Sequence, residues 1–473
     1  MPSPSSSDEG RAQLEALVPF AVLTILTTLL VAGKTTTLLE GLSYYVVPET
    51  EAERARARID AAVKKRSSGR AQQTARQRKR REALAAELER DGDSIAAMRV
   101  TKSSLVLKPF YADFDKLVFF GTLVAANGLA TEAYGRLFRG GAPAENALLP
   151  LLCIVGAGGA MRSLVKMELD PLTPKIERTL AAVAGAVGFC VSALFLSLAP
   201  ATVFDFEMAR TSVELAPALI RGIQRKAGRA VPETYGGGSW IVSEPQIVLG
   251  LSVFAGLVTG ALFPPAVRAA RSYATRTAPP TWGKDLLGAS ELGAFALKLA
   301  FALPLVAAAA HAAPLTDFVF GSDDSSSRRL LLRASLVSLA GLANIAAVPQ
   351  LVQGYLDGSL VTWYELKHGD VGKGDGAKIR AAARLKADVV NRVVCKAAAQ
   401  AAAPGAALVS FACLAYAKRT GEWDEVSLTG LVPAACWRCV AGFLGFWTCA
   451  SYGAMVAVGV ALGANGVTMF GPG

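Results

Sequence analysis

The stretch EAERARARIDAAVKKRSSGRAQQTARQRKRREALAAELER, Glu51 to Arg90, decides how the rest of the chain is read. It holds thirteen Lys or Arg against six acidic residues, a net charge of +7, while the whole chain carries +11. In a soluble protein such a run suggests nucleic acid; beside membrane spans the positive-inside rule makes it a cytoplasmic anchor. The flanks decide between the two. Apolar segments stand on both sides, and the 473 residues are 52% hydrophobic and 18% charged, with mean hydropathy +0.37. That composition predicts an all-α, polytopic helical membrane protein and removes nucleic acid as a partner of the run.

The segment before the run, Leu14 to Gly33, carries a single charge, Glu15 near its start, and covers about 30 Å as a helix, enough to cross a bilayer. Met1 to Gly10 is Ser/Pro-rich and acidic, without a basic n-region, so a retained signal anchor is expected rather than a cleaved signal peptide. A window of about 19 residues picks out eight further spans. They are Lys116 to Phe138, Ala147 to Val165, Leu180 to Leu198, Ile247 to Val267, Glu291 to Ala312, Leu330 to Pro349, Ala397 to Ala417 and Cys439 to Gly463. The Ala-rich Ala397 to Ala417 is the weakest, because Ala contributes little transfer energy, and Pro404-Gly405 is expected to kink it. The expected count is about nine, within eight to ten.

Charge gives the orientation. With the basic run in the cytoplasm, Lys166 to Arg178, Arg268 to Lys284 and Leu351 to Lys396 share its side and are rich in Lys and Arg. The opposite loops are less basic, and Ala313 to Ser327 holds Asp317, Asp323 and Asp324. Nine spans with the N-terminus outside and the C-terminus cytoplasmic satisfy the rule throughout. The chain then divides into a tail with the first span (1–33), a basic cytoplasmic loop (34–110) and a helical bundle (111–473). The bundle includes an extracytoplasmic amphipathic segment near 200–238 and a cytoplasmic loop near 351–396. The amphipathic segment carries Phe204, Met208, Leu215, Leu219, Ile220 and Ile223 at helical spacing among charges, as an interfacial helix or a small helical hairpin would.

Material for catalysis is scarce. His311 and His368 are the only histidines, and the seven cysteines lie mostly in apolar runs, so they read as small buried hydrophobes. Cys436 and Cys439 have CxxC spacing without a second ligand pair. No cofactor, metal site or catalytic residue is expected, and the chain is not expected to be an enzyme. Gly156, Gly158 and Gly159, and Gly459 and Gly463, read as helix-packing positions.

Charges inside spans carry the sharper signal, because an unpaired one costs about 2.5 to 3.5 kcal/mol on insertion scales and usually faces the bundle interior. The candidates are Glu132, Lys298 and Arg333, with polar Asn127 and Asn344. Glu132 and Arg333 differ in depth by only about 3 Å, which predicts an ion pair if the second and seventh spans are neighbours; snorkelling of both to the outer headgroups is the alternative. Lys298, near the midplane, is expected as a buried counter-charge in a polar cavity or bonded to a carbonyl.

Several short motifs resemble the transmembrane protein 161 family. Phe110-Tyr111-Ala-Asp-Phe114 with Thr131-Glu132-Ala-Tyr134 is similar to its second hydrophobic segment, and Gly41-Leu-Ser43-Tyr-Tyr45 before Pro48 to the stretch after its first. Pro265-Ala-Val-Arg268-Ala269, Gln353-Gly-Tyr355-Leu356 and Trp447 in the last span fit the same pattern in order and spacing. The chain departs from the animal members in its richness in Ala and Gly and in Lys298. The resemblance implies a multi-pass membrane protein without an assigned biochemical activity, whose animal members are linked to electrical excitability.

The function expected is that of a structural or regulatory component of the plasma membrane or an endomembrane, modulating ion currents or membrane signalling alongside membrane-protein partners. The alternative is a transporter or channel lined by Asn127, Glu132, Lys298 and Asn344. In either case Lys64, Lys65, Arg66, Arg78, Lys79, Arg80 and Arg81 are expected to lie on anionic inner-leaflet lipid. Each contributes about 1 kcal/mol, and phosphorylation at Ser67 or Ser68 would release them. In sealed right-side-out vesicles the Glu51 to Arg90 run is expected to resist added protease; cleavage there from outside would overturn the orientation.

Overall fold

The computed structural model describes residues 6–32, 38–47, 95–138, 146–171, 173–199, 202–204, 206–215, 243–320, 326–368, 376–417 and 432–465. The basic run, its seven named Lys and Arg residues, and most of the amphipathic segment lie outside them. The described chain is a bundle of long helices: α1 Ser6–Val31, α2 Tyr111–Phe138, α3 Leu149–Glu168, α4 Lys175–Leu198, α5 Glu244–Thr277, α6 Glu291–Ala309, α7 Ser326–His368, α8 Gly376–Arg392, α9 Val394–Ala417 and α10 Ala434–Ala464. Eight of these, α2 to α7, α9 and α10, are long and apolar enough to cross a membrane, and each overlaps an expected span. The apolar part of α1 is shorter, Val18–Val31. It packs antiparallel on α2, with Phe20 edge-on to Tyr134 and Thr24 bonded to Asn127.

One departure from an all-α fold lies at the borders of the basic run. Ser43–Val46 (β1) pairs antiparallel with Ala96–Arg99 (β2), Ser43 opposite Arg99 and Val46 opposite Ala96. The run therefore leaves and re-enters the described structure through one two-stranded ribbon. This hairpin marks one end of the bundle, called here the hairpin end; the other is the far end.

At the centre stands α9. In its most apolar stretch 83% of the residues are buried inside the protein, against 22% for α4. Helices α2, α3, α7 and α10 surround it. Its Ala, Gly and Ser residues make this possible: without a hydrophobic force between helices in lipid, close backbone approach through small side chains is what holds them together. A Cβ on Gly405 would come within 2.6 Å of the Gly341 carbonyl oxygen, and one on Gly121 within 3.2 Å of Ala406. Pro404 sits within the continuous helix, since neighbours on every side pack against the turn it interrupts. The segment with the poorest transfer energy is thus the one with least need of it.

A second close crossing joins α4 to α5, where Gly256 and Gly260, a GxxxG pair, meet Gly185. Gly156 and Gly459 face Ser410 and Ala270 closely, as expected, whereas added side chains at Gly158, Gly159 and Gly463 would meet nothing. Away from these contacts the helices turn large apolar side chains outward. Val183, Val187, Val191, Leu194 and Leu198 make one exposed stripe on α4, and Val22, Ile25, Leu26 and Leu29 another on α1. Exposed apolar surface of this extent suits hydrocarbon rather than water.

At the hairpin end α7 does not stop at Pro349. It runs on to His368, and α8 folds back along it before α9 begins, so the expected loop near 351–396 is mostly helical. Gly293 near the start of α6 faces Gln350, so the part of α7 beyond Gln350 projects about 27 Å past that level at 1.5 Å per residue. Hairpin, α7 extension and α8 form a cap around Tyr45, Leu287 and Leu360, with Trp282 stacked on Tyr364 at 3.9 Å between ring centroids. The α7–α9 crossing makes the first stability prediction. Gly405→Val forces the two backbones apart and is expected to cost about 1–3 kcal/mol in detergent unfolding, whereas Gly158→Ala should stay within about 0.5 kcal/mol of the parent; equal effects would remove the crossing from its central place.

Candidate functional site

The five polar candidates within the bundle do not converge. Asn127 is fully buried in a ladder between α1 and α2. Its amide donates to Thr24 Oγ1 at 2.9 Å and accepts from Asn146 Nδ2 at 2.8 Å, and Asn146 reaches Thr131. Asn344, also buried, turns back to donate to the Ala340 carbonyl at 2.9 Å. Both amides act as helix-to-helix or local pins.

Glu132 and Arg333 find other partners than each other. Glu132 lies 3.3 Å from Arg136 Nε and accepts from the Tyr416 hydroxyl at 3.2 Å. Arg333 donates to the carbonyls of Ala310 and His311, each at 3.3 Å. Equal depth was not enough to pair them: α2 and α7 approach at Gly121 and Ile345, and further out α9 packs between them. Lys298 departs furthest from expectation. It is exposed, on the same outward stripe of α6 as Leu292, Phe295 and Leu305, and no polar cavity surrounds it. It stands about 10 Å from Glu291 at the helix start, within reach of a snorkelling stem.

The buried charge lies instead at the hairpin end. Asp357 of α7 is fully buried and sits 3.2 Å from Arg276 Nη1 of α5, itself 9% exposed. Arg276 also donates to the Leu287 carbonyl and to Gln350 Oε1, both at 2.8 Å. Gln353, one turn from Asp357, donates to it at 2.7 Å and brackets the backbone of Ser43 from both sides, accepting from its N–H at 2.9 Å and donating to its carbonyl at 3.0 Å. Tyr45 completes the cluster, its hydroxyl 3.4 Å from Asp357. Burial, and then the Asp357 carboxylate, push the Tyr45 phenol up to about 12, so it stays a donor at neutral pH. A second layer lies just inside the first: Lys396 contacts Asp170 at 3.2 Å and Thr173 at 2.6 Å, Gln400 donates to Glu168 at 3.1 Å, and Arg268 pairs with Glu177. Sequence reasoning missed Asp357 and Arg276 because both fell in segments read as loop. The available signal was Gln353 and Asp357 at i and i+4, one helix face within an otherwise apolar run.

The far end carries a cleft between α7, α9 and α10. Arg333, Arg438, His311 and Glu207 stand on its wall, and Leu330, Val337, Phe411 and Gly442 are among its apolar lining. Glu207 holds Arg438 through both carboxylate oxygens, at 2.9 Å from Nη2 and 3.3 Å from Nε, and does so from a left-handed backbone (φ 55°) that is uncommon outside Gly, Asn and Asp. His311 Nδ1 lies 2.9 Å from the Ala307 carbonyl, which makes Nδ1 the protonated nitrogen and leaves Nε2 of the neutral ring an acceptor. Behind it, Phe206, Phe443 and Phe446 make an aromatic wall with centroids 5.4–6.5 Å apart. Cys436 and Cys439 are free thiols, and among the described residues no group of His, Cys, Asp or Glu is arranged to hold a metal ion.

Comparison with protein-family models, curated proteins and solved structures finds no match to this chain. The hairpin-end cluster gives the next prediction. Asp357→Ala leaves Arg276 buried beside a vacancy and is expected to cost about 3–5 kcal/mol in detergent unfolding, most of it recovered by Arg276→Met with Asp357→Leu; an Asp357→Ala cost below about 0.5 kcal/mol would remove the cluster as the anchor of the cap.

Proposed function

We propose that the chain is a nine-span integral membrane protein that serves as a structural or regulatory membrane component rather than as a conduit or an enzyme. The observation that carries this reading is the all-round burial of α9 among small apolar residues. A transport pathway needs polar groups that share a space. Here Asn127 and Asn344 are pinned within their own neighbourhoods, and Lys298 faces outward.

The orientation proposed has the hairpin end and the C-terminus in the cytoplasm, with α1 as the ninth span and the N-terminus outside. Its support is charge. The hairpin end gathers Lys166, Lys175, Arg178, Arg268, Arg271, Lys284, Lys367, Arg384, Lys386 and Arg392, and the basic run joins the bundle through the ribbon at that end. Anionic lipid of the cytoplasmic leaflet is the proposed partner of Lys64, Lys65, Arg66, Arg78, Lys79, Arg80 and Arg81. The resemblance to the transmembrane protein 161 family adds modulation of ion currents through membrane-protein partners, in the plasma membrane or an endomembrane, to the proposal. Gln353 of the resembling Gln-Gly-Tyr-Leu segment bonds the Ser43 backbone of the resembling Gly-Leu-Ser-Tyr-Tyr segment, so two of the motifs meet at one structural joint.

Purified protein in proteoliposomes is expected to pass K⁺, Na⁺ and Cl⁻ no faster than empty vesicles. Flux above that background, lost on Asn344→Leu, would overturn the proposal in favour of transport.

A further inference from the structure

We infer that the far-end cleft is a binding site for an anionic amphiphile, its acidic head against Arg333 and Arg438 and its hydrocarbon along Val337 and Phe411. The inference rests on reading the bundle as membrane-embedded, since that supplies the ligand from the surrounding leaflet.

Three features point to a ligand rather than to a packing defect. First, the cleft is sided: two guanidinium groups, the Glu207 carboxylate paired with one of them and an acceptor nitrogen lie on its polar wall, a net positive set, while aliphatic and aromatic side chains cover the rest, the arrangement of small-molecule sites that orient a mainly apolar guest by a few polar groups. Second, the polar wall is fixed in advance. Glu207 holds the Arg438 fork while keeping a left-handed backbone, which for a non-glycine residue persists where the surroundings enforce it, often at functional positions. The carbonyls of Ala310 and His311 hold Arg333 in the same way. A planar guanidinium recognises carboxylate or phosphate through its rigid set of donors, and one already oriented loses little freedom on binding. Third, space is kept open by a missing side chain. Gly442 lines the cleft, and a Cβ there would meet no atom within 4 Å, unlike those at Gly405 or Gly341, where backbone stands in the way.

The position suits the guest. Arg333 is seven residues into α7 and Arg438 four into α10, about one to two turns below the far-end helix starts, the depth at which headgroups give way to acyl chains. His311 Nε2 would accept from a hydroxyl on the head, the O–H of a protonated phosphate or carboxylic acid.

Gly442→Leu supplies the test, since its side chain enters open space and should leave the fold intact. The full chain in mild detergent is titrated with dioleoyl phosphatidic acid, oleic acid, dioleoyl phosphatidylcholine and inorganic phosphate, and adducts are counted by native mass spectrometry. The expected result is a saturable single adduct with phosphatidic acid or oleate, the better of the two naming the source of the head. Gly442→Leu should abolish it, and Arg333→Gln should weaken it about tenfold, the loss of one charge-assisted hydrogen bond. Both variants should melt within a few degrees of the parent without lipid. Equal adducts with phosphatidylcholine, binding of inorganic phosphate alone, or acid-lipid binding unchanged in Gly442→Leu would overturn the inference. None of these results touches the orientation or the flux behaviour proposed above.

Discussion

Everything in this bundle depends on one helix being thin. With Ala, Gly and Ser around its whole circumference, α9 lets α2, α3, α7 and α10 approach it together, and at Gly405 and Gly341 two backbones come into contact. Larger side chains would add transfer energy and remove the geometry, because a helix surrounded by protein gains stability from close packing rather than from leaving water. The outer helices show the complementary rule. Helices α1 and α4, each packed chiefly on one neighbour, carry the Val, Ile and Leu stripes that face outward.

Helices that touch at one level diverge above and below it, since ridges packed into grooves set an angle between axes. Gly405 lies eleven residues from the start of α9 and twelve from its end, so the divergence opens towards both ends of the bundle. The two gaps are filled differently. At the hairpin end ionic side chains from α4, α5, α7, α9 and the turn after α3 close the space, Lys396 with Asp170, Arg268 with Glu177 and Arg276 with Asp357. Buried and half-buried pairs of this kind contribute little net stability over well-packed apolar residues, but a buried one such as Arg276–Asp357 is costly to break singly. They therefore specify which helices meet and where the cap docks.

The sequence made the helices legible and their arrangement illegible, for a physical reason. Hydropathy measures how much apolar surface a segment offers; it carries no information on which side of a helix faces lipid when every side is apolar. The eight long spans were visible in this way, and the weak score of Ala397 to Ala417 read as doubt about a span when it was the signature of the central position. Lys298 was misplaced on the same ground. A charge in an apolar helix was assigned to the interior, although its long stem allows an outward place within reach of the helix end. Asp357 and Arg276 escaped notice because polar segments at a span end read as loops, and only the folded chain brings positions 81 residues apart to one salt bridge. The hairpin was hidden for a similar reason, its two strands being separated by the whole basic run.

At the far end the Glu207–Arg438 ion pair stands on the wall of the gap rather than across it, and a cleft is left open beside it. From Gly341 to Arg333 is about 12 Å along α7, and over that distance the glycine contact gives way to a space bordered by Ala412, Ala415, Ala441 and Gly442. Small residues that serve close packing at the centre serve openness here, because the partner helix has already moved away. A bundle that only had to be stable could have begun to fill the space from position 442, where an added Cβ meets no atom within 4 Å. Instead Glu207 keeps an uncommon backbone to hold Arg438, and a wall of phenylalanines backs His311. Tight crossing at the centre and a polar-rimmed cleft at one end are thus two consequences of a single helix built from small residues.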